Sequence, residues 1–257
     1  KVGVIIESGP GRKIDIETEK AYPIYIDGYI DHRGRERYRL DLQQLKQAVQ
    51  TFKNDDINYG AVITKFSIRN PEHEKIMKNS LEEKMSFVTA GHQVSGELNF
   101  PRRVNTAFLN SAVYKINEEF VKTISQVLQK IGISCPVYLL KADGGNKLLS
   151  ASLKLPVETI LSGPAASIMG GKALTLQKDC DQIVLDIGGT STDISFFTEG
   201  EPVYERRGVE INNIKTLVNG LYSRSVAIGG DSLLKIIDGK LKFGPESITP
   251  AAFGGEG

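Results

Sequence analysis

The sequence is poor in the residues that staple small proteins or cage metals. It holds two cysteines, Cys135 and Cys180, and three histidines, His32, His73 and His92, in 257 residues. Two thiols make neither a disulfide framework nor a zinc cage, and they point to a reducing compartment, the cytoplasm. The histidines have no ligand spacing, so a metal site built from them would need the fold to gather them. Charge of one sign is lacking too: 32 basic against 31 acidic side chains leave +1. That balance excludes a general binder of nucleic acid but leaves room for a local phosphate site. No apolar run approaches the ~18 residues of a membrane-spanning helix. There is no signal-peptide pattern and no initiator Met; the chain opens directly on the apolar run Val2 to Ile6. That run reads as a strand already inside a fold, so a piece of a longer protein is expected.

What is present is an ordinary globular composition, 40% apolar and 25% charged. Its length corresponds to roughly 1.7 domains at ~150 residues each. Glycine is the one surplus, and it is uneven. Of 26 glycines, 17 lie from Asp143 onward. The second half therefore needs permissive or closely approached backbone.

The first part reads as alternating strands and helices, which argues for an α/β architecture. Val2 to Ile6 is a strand and Glu7 to Arg12 a turn or loop. Asp27-Gly28, between β-formers over Tyr22 to Ile30, predicts a hairpin. Asp31 to Arg39 reads as a solvated loop or strand edge. Leu40 to Phe52 has helical spacing behind an Asp41 cap, Tyr59 to Phe66 is a strand, and Asn70-Pro71 starts another helix. Ser86 to Thr89 is again strand-like. From Val104 apolar residues recur at 108, 112, 116, 120, 124, 128 and 131, a long helix closed by Gly132. Pro136 to Leu140 reads as a buried strand with Cys135 as inert core beside it.

Four glycine-rich turns follow. Asp143-Gly144-Gly145 ends the Pro136 strand, where ligands bind in open α/β sheets. Ser162-Gly163-Pro164-Ala165 opens a small-residue segment, suited either to tight helix packing or to holding an anion on free N–H groups. Asp186-Ile187-Gly188-Gly189-Thr190-Ser191-Thr192-Asp193 reads as two strands joined by a tight turn. Its glycines let amides approach a phosphate, Thr190, Ser191 and Thr192 add hydroxyl donors, and Asp186 and Asp193 can reach Mg²⁺ through water. The Gly-Lys-Ser/Thr ending of a Walker loop is absent. Pro202 to Gly208 reads as a further strand. Val226 to Ile228 runs into Gly229-Gly230, with Asp231 or Ser232 capping a helix and a nucleotide over the glycines.

Strand, phosphate turn, strand, strand and a Gly-Gly pair is the order of the second lobe of actin-like ATPases. Ser162 to Ala165 and the Asp186 to Asp193 octet resemble the hydantoinase A/5-oxoprolinase family within that superfamily. Supporting matches are Asn70-Pro71-Glu72-His73-Glu74, Gly91-His92, Pro101-Arg102-Arg103 to Asn110, Asp143-Gly144-Gly145 and Gly244-Pro245-Glu246-Ser247. The resemblance implies an actin-like (ribonuclease H-like) α/β fold of mixed sheets flanked by helices. It implies two domains: residues 1–102 as the C-terminal part of the N-terminal region, and 103–257 as the ATPase lobe, cut short at its end.

The implied activity is ATP-dependent opening of a cyclic amide such as a hydantoin or 5-oxoproline. Mg²⁺ and catalysis would then sit at Asp186 and Asp193. Phosphate would be held by Gly188 to Thr192 with Ser162-Gly163 and Asp143 to Gly145, and the nucleoside by Gly229, Gly230 and Asp231. The implied partners are the small-molecule substrate and a second, hydantoinase B-type subunit, with oligomers open and neither nucleic acid nor membrane expected. Two alternatives stand beside it: an ATP-dependent carboxylase subunit, and a non-catalytic ATP-driven switch or reactivating protein. The family's earlier Asp-x-Gly-Gly-Thr-x-Thr-Asp turn has no copy in this sequence, so the 257-residue chain alone is expected to bind ATP weakly or not at all.

Four side chains outside these turns carry open readings. His92, after Gly91 and near Glu97, is either an acid–base group or a hydrogen-bonded loop histidine. His73 reads as charge pairing in a first helical turn. Arg102 and Arg103 either clamp a carboxylate or pair with acids at the start of the long helix.

Overall fold

The computed structural model describes residues 1–248 apart from 12, 15, 17 and 176–179. The chain forms two compact units. The first comprises Lys1–Leu139, Asn146–Ile160 and Arg207–Asn219; the second comprises Leu140–Gly145, Leu161–Arg206 and Gly220–Gly257.

In the first unit the elements run β1 (Val2–Glu7), β2 (Ala21–Tyr25), β3 (Tyr29–Ile30), β4 (Glu36–Tyr38), α1 (Leu42–Asn54), β5 (Tyr59–Thr64), α2 (Glu72–Glu82), β6 (Phe87–Ala90) and the long α3 (Phe100–Lys130). Four of the strands form a fully parallel sheet in the order β2-β1-β5-β6. Every residue of β1 is buried, and so are five of the six in β5. Such unbroken runs are what a parallel sheet covered on both faces requires. The core on one face gathers Ile5, Leu45, Phe52, Val62, Met77, Leu81 and Val88. Helix α1 is capped as its sequence predicts, with Asp41 accepting from the amides of Gln43 and Gln44 at 2.9 Å.

The Asp27-Gly28 hairpin does not form. β2 pairs in parallel with β1, whereas β3 pairs with β4 across a turn at Asp31 to Arg35. Two local bonds decide this. Gln44 of α1 takes the Asp27 amide at 2.7 Å, and Asp31 Oδ1 accepts from the amides of Arg33 and Arg35 at 2.9 and 3.0 Å. Arg37 Nε adds a 2.7 Å bond to Asp31 Oδ2. Burial raises the Asp31 pKa, but these bonds to Arg35, Arg37 and Arg33 lower it further, to about 2. Glu7, expected in a loop, belongs to β1; Arg12 lies outside the described residues.

The long helix forms, and Gly132 follows it in a left-handed conformation (φ +76°). Its predicted stripe is correct only at the start. Val104 and Phe108 are buried, but Ile116 is 71% exposed, and Asn117 and Val121 are buried instead. A strict four-residue step overshoots a 3.6-residue turn by roughly 40° each time, so the stripe rotates off the core.

At the carboxyl edge of the sheet lies a polar cluster that the sequence did not announce. His73 is 2% exposed and bridges two carboxylates, with Nδ1 2.6 Å from Glu7 and Nε2 2.8 Å from Glu36. Burial disfavours its imidazolium, but the bonds to Glu7 and Glu36 outweigh burial, and its pKa is raised. The folded pKa thus exceeds the unfolded one, so this contribution is complete below ~6.5 and disappears as pH rises through the folded value. The melting temperature of the first unit is expected to fall over that interval, and His73→Gln to flatten the dependence. A pH profile unchanged in the variant would refute the bridge.

The second unit holds α4 (Ser162–Leu174), β7 (Gln182–Ile187), β8 (Thr192–Thr198), β9 (Glu201–Pro202), β10 (Ser223–Val226), β11 (Ser232–Ile237) and β12 (Lys240–Ser247). β8 pairs antiparallel with β7, β9 and β10. A small core of Ala165, Ile168, Phe197 and Leu221 joins α4 to this sheet. The strand expected over Pro202 to Gly208 is reduced to β9 and a bridge from Tyr204 to Leu221. Tyr138–Leu140 is a strand but not a buried one, and Cys135 is exposed, not core. No helix among the described residues is long and apolar enough to cross a membrane.

Candidate functional site

All the glycine-rich turns singled out in the sequence belong to the second unit. Two of them are joined into one structure. β7 and β8 form the expected hairpin, with Asp186 directly opposite Asp193. Cross-strand partners point to the same face, so the two carboxylates lie side by side. The Gly188 amide donates to the Ser191 carbonyl at 2.9 Å and closes the turn. The Gly229 to Asp231 segment then lies along that turn: Gly230 donates to Gly188 O at 2.9 Å and Asp231 to Gly189 O at 2.8 Å.

This contact leaves no room for side chains. A Cβ on Gly229 would stand 2.3 Å from the Gly189 carbonyl oxygen, and one on Gly189 would stand 2.5 Å from Asp231 Oδ2. Two further bonds fix the segment. Thr192 Oγ1 donates to Ile228 O at 2.6 Å, and the Gly229 amide donates to Ser232 Oγ at 2.9 Å.

The remaining donors face outward. Among the described residues, the amides of Gly189, Thr190 and Ser191 and the hydroxyls of Thr190 and Ser191 have no hydrogen-bond partner. The result is an exposed turn of free donors beside two carboxylates, and consecutive free amides in a turn are one setting in which anions bind. Thr192, in contrast, uses its hydroxyl within the fold, and Gly229 and Gly230 turn their amides inward.

α4 borders the same hairpin. Ser167 Oγ donates to Asp186 Oδ2. Its N-terminus, with Leu161 left-handed at φ 65°, has no side-chain cap. Gly163 has nothing within 4 Å of where a Cβ would be. The uncapped Ser162-Gly163 end lies roughly 7 Å along the helix axis from Ser167. Asp143 is differently employed. Its carboxylate takes the Gly145 amide at 2.9 Å and Lys141 Nζ at 2.8 Å, and Gly144 (φ +80°) packs on Met169. That loop supports the middle of α4.

The helix expected after Gly230 is absent. Ser232–Ile237 is a strand, paired with Lys240–Ser247. The missed signal is Asp238-Gly239, both at positive φ, the two-residue turn that joins hairpin strands. Asp231 and Ser232 accordingly cap no helix.

The candidates outside the glycine turns resolve differently from expectation. His92 pairs with Glu74, not Glu97: Glu74 Oε2 accepts the His92 amide at 2.7 Å and lies 2.6 Å from Nδ1. Glu74 Oε1 takes the Thr64 amide at 2.8 Å. Among the described residues Arg102 and Arg103 make no ion pair with an acid. Arg102 donates to carbonyls of Arg207, Gly208 and Thr216, and the buried Arg103 to those of Glu97, Thr64 and Lys65. His32 packs on Phe66. No group of three or more His, Cys, Asp or Glu among the described residues could hold a metal.

A mixed α/β chain with a glycine and hydroxyl turn between paired aspartates is the class that the fold and site define. The chain belongs to the hydantoinase/oxoprolinase family, whose pattern matches residues 103–253, with the family's N-terminal region matching 6–85. It is 25% identical over 234 residues to the caprolactamase subunit alpha of Pseudomonas jessenii, covering 86% of this chain and 32% of that one. It is 26% identical over 249 residues to 5-oxoprolinase of Saccharomyces cerevisiae, covering 91% and 19%.

The crystal structure of an ATP-dependent caprolactamase from Pseudomonas jessenii superposes with a TM-score of 0.79 at 23% identity over 96% of this chain and 39% of that one. A nucleotide-free acetone carboxylase gives 0.74 at 22%, over 88% and 32%. The chain thus spans about a third or less of the length of the curated relatives described.

Proposed function

We propose that this chain is the nucleotide-binding portion of a cytoplasmic enzyme that uses ATP to open a cyclic amide. The reading rests on the joined turns: unpartnered amides at Gly189 to Ser191 beside Asp186 and Asp193. Relatives named caprolactamase and 5-oxoprolinase support a lactam as substrate. In this reading residues 1–102 continue the N-terminal region and 103–257 form the ATPase lobe.

The chemistry asks for positioning and charge neutralisation more than covalent help. Transfer of the γ-phosphoryl group of ATP to the lactam carbonyl oxygen releases ADP and activates the carbon. Water then adds, the C–N bond breaks with the amine as leaving group, and the resulting acyl phosphate is hydrolysed to carboxylate and phosphate. The amides of Gly189, Thr190 and Ser191 hold the phosphate, with the uncapped Ser162-Gly163 end of α4 as a second anion contact. Asp186 and Asp193 suit Mg²⁺, which takes one or two carboxylates and keeps several waters. Asp186 Oδ2 is engaged by Ser167, which holds that carboxylate in place and leaves Oδ1 for the ion's hydration shell. Bound there, the ion would neutralise phosphate charge. Gly229 to Asp231 shape the turn from behind and present the nucleoside edge. A hydantoinase B-type subunit completes the assembly in this reading.

The test is phosphate release by the full-length protein with ATP, Mg²⁺ and a panel of caprolactam, 5-oxoproline and hydantoins, with Asp193→Ala as the inactive control. Stimulation by one of the lactams supports the proposal. Stimulation only by bicarbonate with a ketone would favour the carboxylase reading, which the likeness to acetone carboxylase raises. Stimulation only by a protein would select a switch.

A further inference from the structure

The first unit carries a cleft that the phosphate chemistry does not use. β1 and β2 are neighbours in the parallel sheet and end at the same edge. Ligands of open α/β sheets bind outside the carboxyl ends of strands. A cleft of about 620 Å³ opens past the ends of β1 and β2, lined by Ile6 and Ser8 at one and Tyr25 and Ile26 at the other. That volume suits a small organic molecule.

Its lining has a definite chemistry. Ser8 is 8% exposed, and its buried Oγ has no hydrogen-bond partner among the described residues. A buried hydroxyl without a partner at a cleft marks a place where a ligand or water supplies one. Lys13 and Arg39 line the cleft and make no ion pair among the described residues; Lys13 Nζ lies 5.1 Å over the Tyr25 ring. Asp27 is the one acid of the lining among the described residues, and Gln44 Nε2 donates to its Oδ2 at 2.8 Å. Glu7, just behind Gly28, is taken by His73. Two cations thus face one hydrogen-bonded carboxylate. Tyr29 and Tyr38, opposite each other in the β3–β4 hairpin, form an aromatic wall, and Tyr38 is 69% exposed.

We infer that this cleft binds a small organic acid, its carboxylate held by Lys13 and Arg39, an oxygen by Ser8, and its ring or alkyl body by Tyr29 and Tyr38. Charge fixes the anion, since an Arg and a Lys without acidic partners among the described residues bind carboxylate by charge-assisted hydrogen bonds. The aromatic wall fixes an apolar body, because a bare anion gains nothing from tyrosine faces. The inference stands on residues of the first unit alone and does not depend on the nucleotide reading.

Isothermal titration of the 257-residue chain tests it, with benzoate and 5-oxoproline as organic acids, caprolactam as a neutral ring and inorganic phosphate as a bare anion. Saturable binding of at least one organic acid, at least tenfold tighter than caprolactam or phosphate, is expected. Arg39→Met and Lys13→Met should each weaken it about tenfold, and Ser8→Ala severalfold, with unchanged melting curves. Both cations are exposed, so these variants should fold. No saturation by either organic acid up to about 10 mM overturns the inference. Phosphate binding as tight as benzoate overturns it, and so does affinity indifferent to Arg39→Met and Lys13→Met.

Discussion

Replacing Gly229 by alanine in the full-length protein is expected to lower ATP affinity and ATP-dependent turnover by about 30- to 150-fold, and Gly230→Ala to lower them far less. The difference comes from backbone geometry. At Gly229 the added methyl meets Gly189 O, Gly189 C and Gly188 O at 2.3, 2.5 and 2.6 Å, all main-chain atoms that cannot rotate away. At Gly230 the nearest neighbour is Gly188 O at 3.8 Å, an ordinary contact. Overpacking of this kind costs on the order of 2–3 kcal/mol. The structure relieves it by separating the two turns, which breaks the Gly230–Gly188 and Asp231–Gly189 bonds and moves the free amides of Gly189 to Ser191. ATP titration and phosphate release read the result. Equal effects from the two substitutions would show that the turns are not joined in this way.

Replacing Glu74 by alanine should destabilise the first unit by about 4 kcal/mol, among the largest single effects available in it. Glu74 is fully buried and accepts from the Thr64 amide, the His92 amide and His92 Nδ1. Truncation leaves two backbone N–H groups without a partner, each costing about 1–3 kcal/mol, and opens a cavity besides. It also removes the acid nearest the buried Arg103, whose guanidinium otherwise has only carbonyl partners. Glu74→Gln keeps one acceptor oxygen for Thr64 and should lose about half as much. Urea denaturation measures the total. Amide hydrogen exchange at Thr64 and His92 shows whether the loss is local to this cluster, as expected. A change below about 1 kcal/mol would mean that water replaces the carboxylate without penalty.

These two residues mark different degrees of legibility. Gly229 was visible in the sequence as a member of a turn, because a Gly-Gly pair after an apolar run is a local signal. Its actual task, closing against Gly188 and Gly189 some forty residues earlier, was not. The sequence presents Glu74 as part of a helix start and its neighbour His73 as charge pairing in the first turn. Both are buried, because α2 docks against the carboxyl ends of β1 and β5, and only that docking brings Glu7, Glu36, Thr64 and His92 within bonding distance. Short-range errors had short-range causes. The Asp238-Gly239 turn makes a hairpin where a helix is expected, and Gln44 and Asp31 redirect the chain at Asp27-Gly28 where a hairpin is expected.

The sequence by itself determined the alternation of strands and helices, the position of the Asp186 to Asp193 turn and the family, because periodicity, capping and turn chemistry act over a few residues. Tertiary structure alone decided what each polar side chain is for. Arg102 and Arg103 became carbonyl donors, Asp143 a turn-former, Thr192 a tie to Ile228, and Ser8 an unpartnered hydroxyl at a cleft. The physical reason is that a buried polar group must find a partner. In a parallel sheet with crossover helices those partners lie tens of residues away, where no local pattern records them.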